Sequence, residues 1–160
     1  MNPTKRLTFH PLTPEWAGLI FEHNTGNVKD YFYNFKSEED ARVWVAQAIA
    51  AAKDTDKEEF VILANGEFVG MISSRTNSDS TGDIGMWIAE SQQRKGYGRE
   101  ALKAAIDYLK AKGVLKIVYE IEKGNVASMA LSTSLGMKPA SSDDKYHQFI
   151  LDLVSPQWPG

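Results

Sequence analysis

Hydrophobic and polar positions change their period several times along the chain, and each change predicts an element. "RLTFHPL" sets Leu7, Phe9 and Pro11 against polar neighbours, the two-residue repeat of a strand. Thr13 and Pro14 then supply an N-cap and a first-turn proline for a short helix through Trp16, Leu19 and Ile20. The spacing of Ala41, Trp44, Val45, Ala48, Ile49 and Ala52 predicts a longer helix with one core-facing stripe. Ser37 caps it, and Glu38, Glu39 and Asp40 suit its positive end. "FVILANGEFVGMIS" holds two β-rich runs around Asn65-Gly66, a dipeptide whose tolerance of positive φ fits a two-residue hairpin. The polar residues 73–83 read as a surface loop, and "DIGMWIAE" as a third strand.

From residue 97 to residue 112, Leu102, Ala105, Ile106 and Leu109 again keep helical spacing, with Lys110 and Lys112 at the negative end and Gly113 to stop the helix. "VLKIVYEIE" is a strand. Asn125 caps a last helix that carries Val126, Met129, Ala130 and Thr133 on one side and closes at Gly136, and "YHQFILDLV" is a final strand. The predicted order is strand, two helices, three strands, then helix, strand, helix, strand. That is an α+β sheet with about four helices packed on it.

Composition narrows what such a sheet can do. With 160 residues, 42% of them hydrophobic, the chain supports one core, so residues 1–160 are expected to form a single domain. No internal repeat, low-complexity tract or linker interrupts it. The absence of cysteine rules out a disulfide framework and a thiolate metal site, and points to the cytoplasm. His10, His23 and His147 stand isolated, so no metal site is expected. No apolar run approaches the ~20 residues needed to cross a bilayer, and the N-terminal stretch lacks a signal-peptide core, so no membrane partner is expected. A net charge of −3 gives no general attraction to nucleic acid. Any anion site must be local.

"QQRKGYGREAL" offers one. A glycine-bearing segment that leaves a strand and opens a helix gathers unpaired N–H groups at the positive end of the helix dipole. Gly96 and Gly98 let the backbone approach an anion, and Arg94, Lys95 and Arg99 add charge at the rim. A P-loop is excluded, because Gly98 is followed by Arg99 and Glu100 rather than by Lys-Ser/Thr. The dinucleotide fingerprint fits better: Gly96, Gly98 and Ala101 satisfy G-x-G-x-x-A, with Glu120 or Glu122 about 20 residues on. Against it, residues 90–95, all polar or charged, separate the glycines from the strand, and that strand belongs to an antiparallel hairpin series. A nucleotide-dependent oxidoreductase therefore stays only as an alternative.

"WIAESQQRKGYGREAL" resembles the acetyl-CoA-binding motif of the GNAT superfamily of N-acetyltransferases, Gln/Arg-x-x-Gly-x-Gly/Ala, filled here by Gln93, Gly96 and Gly98. "NVASMALSTSLGM" resembles the later motif of the same family at Asn125, Ser128 and Leu135-Gly136-Met137. "RLTFHPLTPEW" and "FKSEEDARVWV" are similar to the branch that includes ribosomal-protein N-terminal acetyltransferases, so the likeness spans nearly the whole chain.

The resemblance implies a GNAT fold with a mixed, mostly antiparallel sheet, and an enzyme that moves the acetyl group of acetyl-CoA to a primary amine. It implies that Arg94, Lys95, Gly96, Tyr97, Gly98 and Arg99 wrap the pyrophosphate. The strand edge at Trp87, Ile88 and Ala89 would pair with the pantetheine arm, and Asn125 and Ser128 would touch that arm from the other side. An N–H near Ile88 would face the thioester oxygen. Asp83 and Glu120 are the carboxylates available as base. The family's tyrosine acid is replaced by Ser132, which becomes the nominal acid, with Ser134, Tyr146 or water as alternatives. The acceptor is expected against Glu22, Asp30, Tyr31, Phe32 and Tyr33, and its identity stays open among protein N-termini, polyamines, amino acids and aminoglycosides. A non-catalytic acyl-CoA-binding domain is the second alternative. The oligomeric state is open, a homodimer being one option.

Overall fold

The computed structural model describes residues 1–154, so the last six residues of the domain expected over 1–160 lie outside the described residues. Strands β1 (Leu7–Pro11), β2 (Lys57–Ala64), β3 (Glu67–Thr76), β4 (Thr81–Ile88), β5 (Lys116–Glu122), β6 (Lys138–Ser142) and β7 (Tyr146–Asp152) form one sheet in the order β1-β2-β3-β4-β5-β7-β6. Among the described residues only β4 and β5 pair in parallel. The β2–β3 hairpin turns at Asn65 and Gly66, with φ of 51° and 79°. Both central residues are left-handed, the requirement of a primed hairpin turn.

Helices α1 (Ala17–Glu22), α2 (Val28–Tyr31) and α3 (Glu38–Lys53) precede β2, α4 (Tyr97–Ala111) joins β4 to β5, and α5 (Val126–Ser134) joins β5 to β6. Each face of the sheet carries its own core. On one face Leu102, Ala105, Ile106 and Leu109 of α4 pack with Ile62, Ile72, Ile84 and Ile117 of the strands, and Leu131 of α5 adds to the edge. On the other face Ala17, Ile20, Ala41 and Val45 of α1 and α3 pack on Val61, Phe68, Met71 and Trp87. The alternation of side chains along each strand is what divides the residues between the two cores.

Several expectations change. Among the described residues five α-helices form where about four were expected, because α2 is a single turn too short to show a helical period. β6 has no apolar alternation, since all five of its residues are exposed on the sheet edge, where its proline is tolerated. Much of the expected loop over residues 73–83 is strand: β3 continues to Thr76 and β4 resumes at Thr81, with Arg75 paired across the ladder to Asp83. Thr13 is extended ahead of a 3-10 turn at Pro14–Trp16 but makes no side-chain cap bond. Of the α5 residues expected on one side, Met129 packs against the core while Val126, 68% exposed, Ala130 and Thr133 face outward, and Ser132 is buried. Ser37 and Asn125 cap α3 and α5 as expected, accepting from the amides of Asp40 and Ser128.

Candidate active site

The parallel join of β4 and β5 is short. Thr81, Gly82 and Asp83 pair with Lys116, Ile117 and Val118, and beyond that register the strands part. Asn77 donates to Thr81 O and Ala89 donates to Val69 O, both at the β3 side of β4. Because successive amides of a strand point to opposite edges, those of Met86 and Ile88 face away from β3, into the gap. The gap is part of a cleft of about 1020 Å³ bounded by β4, β5, the start of α4, α5 and the α2 segment.

The turn between β4 and α4 forms the upper end of this cleft. Arg94 (φ 63°) and Gly96 (φ 82°) both adopt left-handed backbone, so the amides that follow them turn inward. Among the described residues, no protein acceptor meets the amides of residues 94–99; the first helical bond is Glu100 N–H to Gly96 O. A Cβ at Gly98 would stand 3.5–3.6 Å from Leu131, Ile88 and Met86, side chains of the cleft wall. The amides of residues 94 and 96–99, all on the cleft wall at a helix N-terminus, with the Arg94 and Arg99 side chains beside them, make a cradle shaped for a diphosphate.

Contacts from distant parts of the chain hold that turn in shape. Gln93 Nε2 donates to Ile88 O (2.9 Å) and to Asn27 Oδ1 (2.9 Å), and Asn27 Nδ2 donates back to Gln93 Oε1 (3.0 Å). Arg6 donates to Lys95 O (2.8 Å), pairs with Glu100 (2.8 Å) and lies over the Tyr97 ring. Partial burial of Glu100 opposes its charge, but hydrogen bonds from Thr4 and Arg6 prevail and hold its carboxyl below the usual range. Neither Arg6 nor Asn27 stood out in the sequence, since their partners lie more than sixty positions away.

The expected site residues divide accordingly. Ile88, Trp87, Arg94, Gly96, Tyr97, Gly98, Arg99, Asn125, Ser128 and Glu120 line the cleft, as does Gln93, whose amide group is already engaged. Ala89 is buried with its amide on β3, and Lys95 turns its ammonium to Gln92, so neither lines it. Trp87 offers its ring rather than its amide. Met86 was missed because only the hydrogen-bond parity of the ladder reveals it. Asp83 is absent from the cleft wall, its carboxylate accepting from Arg75 Nε (2.9 Å) and Asn77. Ser132 is fully buried and donates to Ser128 O (2.9 Å), so its hydroxyl is turned into its own helix. Tyr119 and Tyr146 bring phenols to the cleft; burial pushes the Tyr119 hydroxyl up, with Ser128 Oγ 3.4 Å away opposing the shift.

On the acceptor side Tyr31, Phe32 and Tyr33 line the cleft, while Glu22 and Asp30 do not. Phe32 stacks on Trp87 at 5.1 Å and meets Trp44 edge-on, and Tyr31 donates across the opening to Gly124 O. No cluster of metal-ligating side chains occurs among the described residues, and no helix among them is long and apolar enough to cross a membrane.

Comparison with known proteins agrees with this geometry. The model of the acetyltransferase (GNAT) domain family matches residues 6–138. An uncharacterised Bacillus subtilis protein, YkkB, is 25% identical over 139 residues, covering 83% of this chain and 80% of its own. Among solved structures, RimL, a ribosomal L7/L12 alpha-N-protein acetyltransferase in complex with coenzyme A, superposes with a TM-score of 0.82 at 16% identity, over 94% of this chain and 96% of that one. A Vibrio cholerae spermidine N-acetyltransferase in complex with CoA and spermine gives 0.76 at 17% identity, over 93% and 96%. An aminoglycoside acetyltransferase in complex with coenzyme A gives 0.78 at 15%, over 92% and 95%. At such identities these likenesses are of fold. The family match spans most of the sequence, and by it the chain belongs to the GNAT acetyltransferase domain family and is an acetyl-CoA-dependent acyltransferase.

Proposed function

We propose that the protein transfers the acetyl group of acetyl-CoA directly to a primary amine bound in the same cleft. The observation that carries this reading is the set of unpaired amides of residues 94–99, continuous with the inward-facing amides of Met86 and Ile88. The first set would hold the diphosphate, with Arg94 and Arg99 adding charge. The second would pair with the pantetheine arm as an added strand, and one of its amides would stabilise the oxyanion that develops on the thioester. Asn125 and Ser128, at the N-terminus of α5, would touch the arm from the opposite wall.

Acetyl-CoA supplies an activated acyl carbon and a thiol leaving group; the chain must orient the amine and manage its protons. A carboxylate has to take the ammonium proton, and those on the cleft wall are Glu59, Glu120 and Glu122, not Asp83. For the departing thiolate, Tyr119 and Tyr146 would be the candidate proton donors, since both line the cleft and Ser132 does not. The aromatic wall of Phe32, Tyr33, Trp44 and Trp87 suits a cationic acceptor. An amine acceptor is further supported by the fold relatives, whose names describe acetylation of a ribosomal protein, spermidine and aminoglycosides. A cytoplasmic location accords with a cysteine-free chain.

Calorimetric titration with acetyl-CoA, coenzyme A and NADH tests the reading, together with thiol release on a panel of amines. Preference for NADH would contradict it. Binding of acetyl-CoA with silence across the panel would leave a binding domain in place of a catalyst.

A further inference from the structure

Beyond the cofactor strand, the cleft runs over β4 and β3 to a carboxylate on β2. Glu59, Ser73 and Gly85 stand opposite one another in register across the three strands, and all three line the cleft. Residues directly opposite in a ladder share a face, so this row lies on the same face as Trp87 and Met71, under the aromatic wall. Gly85 leaves the passage open: a Cβ there would sit 2.8 Å from Ser73 Oγ. Glu59 itself is 11% exposed. Its nearest cation is Lys57, whose Nζ lies 3.2 Å from Oε1 and whose side chain is 41% exposed at the rim. Among the described residues, no donor meets Oε2.

We propose that Glu59, with Ser73 beside it, receives the acceptor's alkylammonium group and takes its proton before the nitrogen attacks. This rests on the amine-acetylation reading above and assigns its base. One proton passes from the ammonium to the Glu59 carboxylate. The nitrogen then bonds to the acetyl carbon as the carbon–sulfur bond breaks, the second proton leaves with the sulfur as thiol, and Glu59 returns its proton to water. Burial pushes the Glu59 carboxyl up against the opposing influence of Lys57, which brings its proton affinity closer to that of the amine. Lys57 faces it on its own strand, Tyr33 lines the same cleft, and Arg75, one row further along, is committed to Asp83. A pair whose purpose was only structural would give Lys57 and Glu59 equal importance.

The test uses the full chain, with spermidine, kanamycin and a serine-initiated peptide as amine probes. Thiol release is followed from acid to alkaline pH, and acetyl-CoA affinity is measured by calorimetry. Glu59→Gln should leave acetyl-CoA affinity unchanged, lower kcat/KM for the amine by about 100-fold or more, and abolish the acid limb of the pH profile. Lys57→Gln should retain activity and move that limb to higher pH, since the ammonium lowers the Glu59 pKa. If the wild type acetylates a probe and Glu59→Gln retains both rate and acid limb, the assignment falls while the acetyltransferase reading stands. It falls equally if Lys57→Gln loses as much as Glu59→Gln. Failure of the wild type to bind acetyl-CoA, or binding without acetylation of any probe, overturns both.

Discussion

Gly96 meets two constraints: its φ of 82° is left-handed, and a Cβ there would lie 3.1 Å from Arg6 Nη2. Left-handed backbone costs an L-residue roughly 1–2 kcal/mol, so Gly96→Val should weaken coenzyme A binding by about tenfold or more, measured by titration. Unaltered affinity would contradict the cradle. Glu100 anchors the other side of the turn. Its carboxyl pKa is depressed on folding, so its stabilisation is present above the unfolded value and is lost as pH falls through the folded one. Glu100→Gln should therefore bind coenzyme A more weakly than the wild type near neutral pH, and the gap should close in acid. A gap that persists at low pH would count against the Arg6–Glu100 clamp. Ser37, Asn125 and the glycines could be recognised from sequence because caps and turns are settled within a few residues. Asp83 could not be judged that way: it reads as a free strand-end carboxylate until the register sets Arg75 opposite it.

The α2 turn shows what periodicity does not convey. It has no stripe, yet Asn27 at its N-terminus binds Gln93, and Gln93 binds Ile88 O, so one chain of amides joins the acceptor wall, the diphosphate turn and the cofactor strand. Asn27→Ala should weaken both coenzyme A binding and the KM for the amine several-fold, at roughly 1 kcal/mol for each lost bond. An effect on only one of the two would show that the elements are not coupled. The hairpin partner of β4 matters as well. The register of β2 on β3 shifts at Ile62/Leu63, and Gly70 comes so close to β4 that a Cβ would lie 2.1 Å from Trp87 O. Gly70→Ala must push the strands apart beside Ile88 and should cost roughly 1–3 kcal/mol in denaturant unfolding. Strand β5 and helices α3 and α4 were legible because their buried positions repeat at two or at about 3.6 residues, whereas β2 and β3, buried in succession over residues 60–62 and 68–72, were legible as β-rich runs around the Asn65-Gly66 turn. The edge strand β6 is exposed throughout, and α5 buries a serine whose hydroxyl is satisfied inside its own helix, so composition misdirects there.

The two-core sheet converts a topological accident into a site. A parallel join of three residue pairs, flanked by antiparallel neighbours, lets β4 and β5 diverge, and the helix that follows β4 starts where they part. Strand order lies beyond sequence patterning: nothing local in β7 reveals that it inserts between β5 and β6. The mixed α+β class, by contrast, follows from the order of periods alone. The chain is acidic overall at −3, and of the cations on the cleft wall Lys57 and Lys145 are paired with Glu59 and Glu122 while Arg94 and Arg99 have no carboxylate partner among the described residues, so attraction for an anionic ligand is concentrated at their end. Amide resonances followed by NMR during titration with coenzyme A would report on that end residue by residue. Binding should move the amides of residues 94–99 together with Met86 and Ile88, and leave those of Trp87 and Ala89, bonded to β3, nearly still. Saturation of the protein with residues 94–99 unmoved would show that the ligand sits elsewhere.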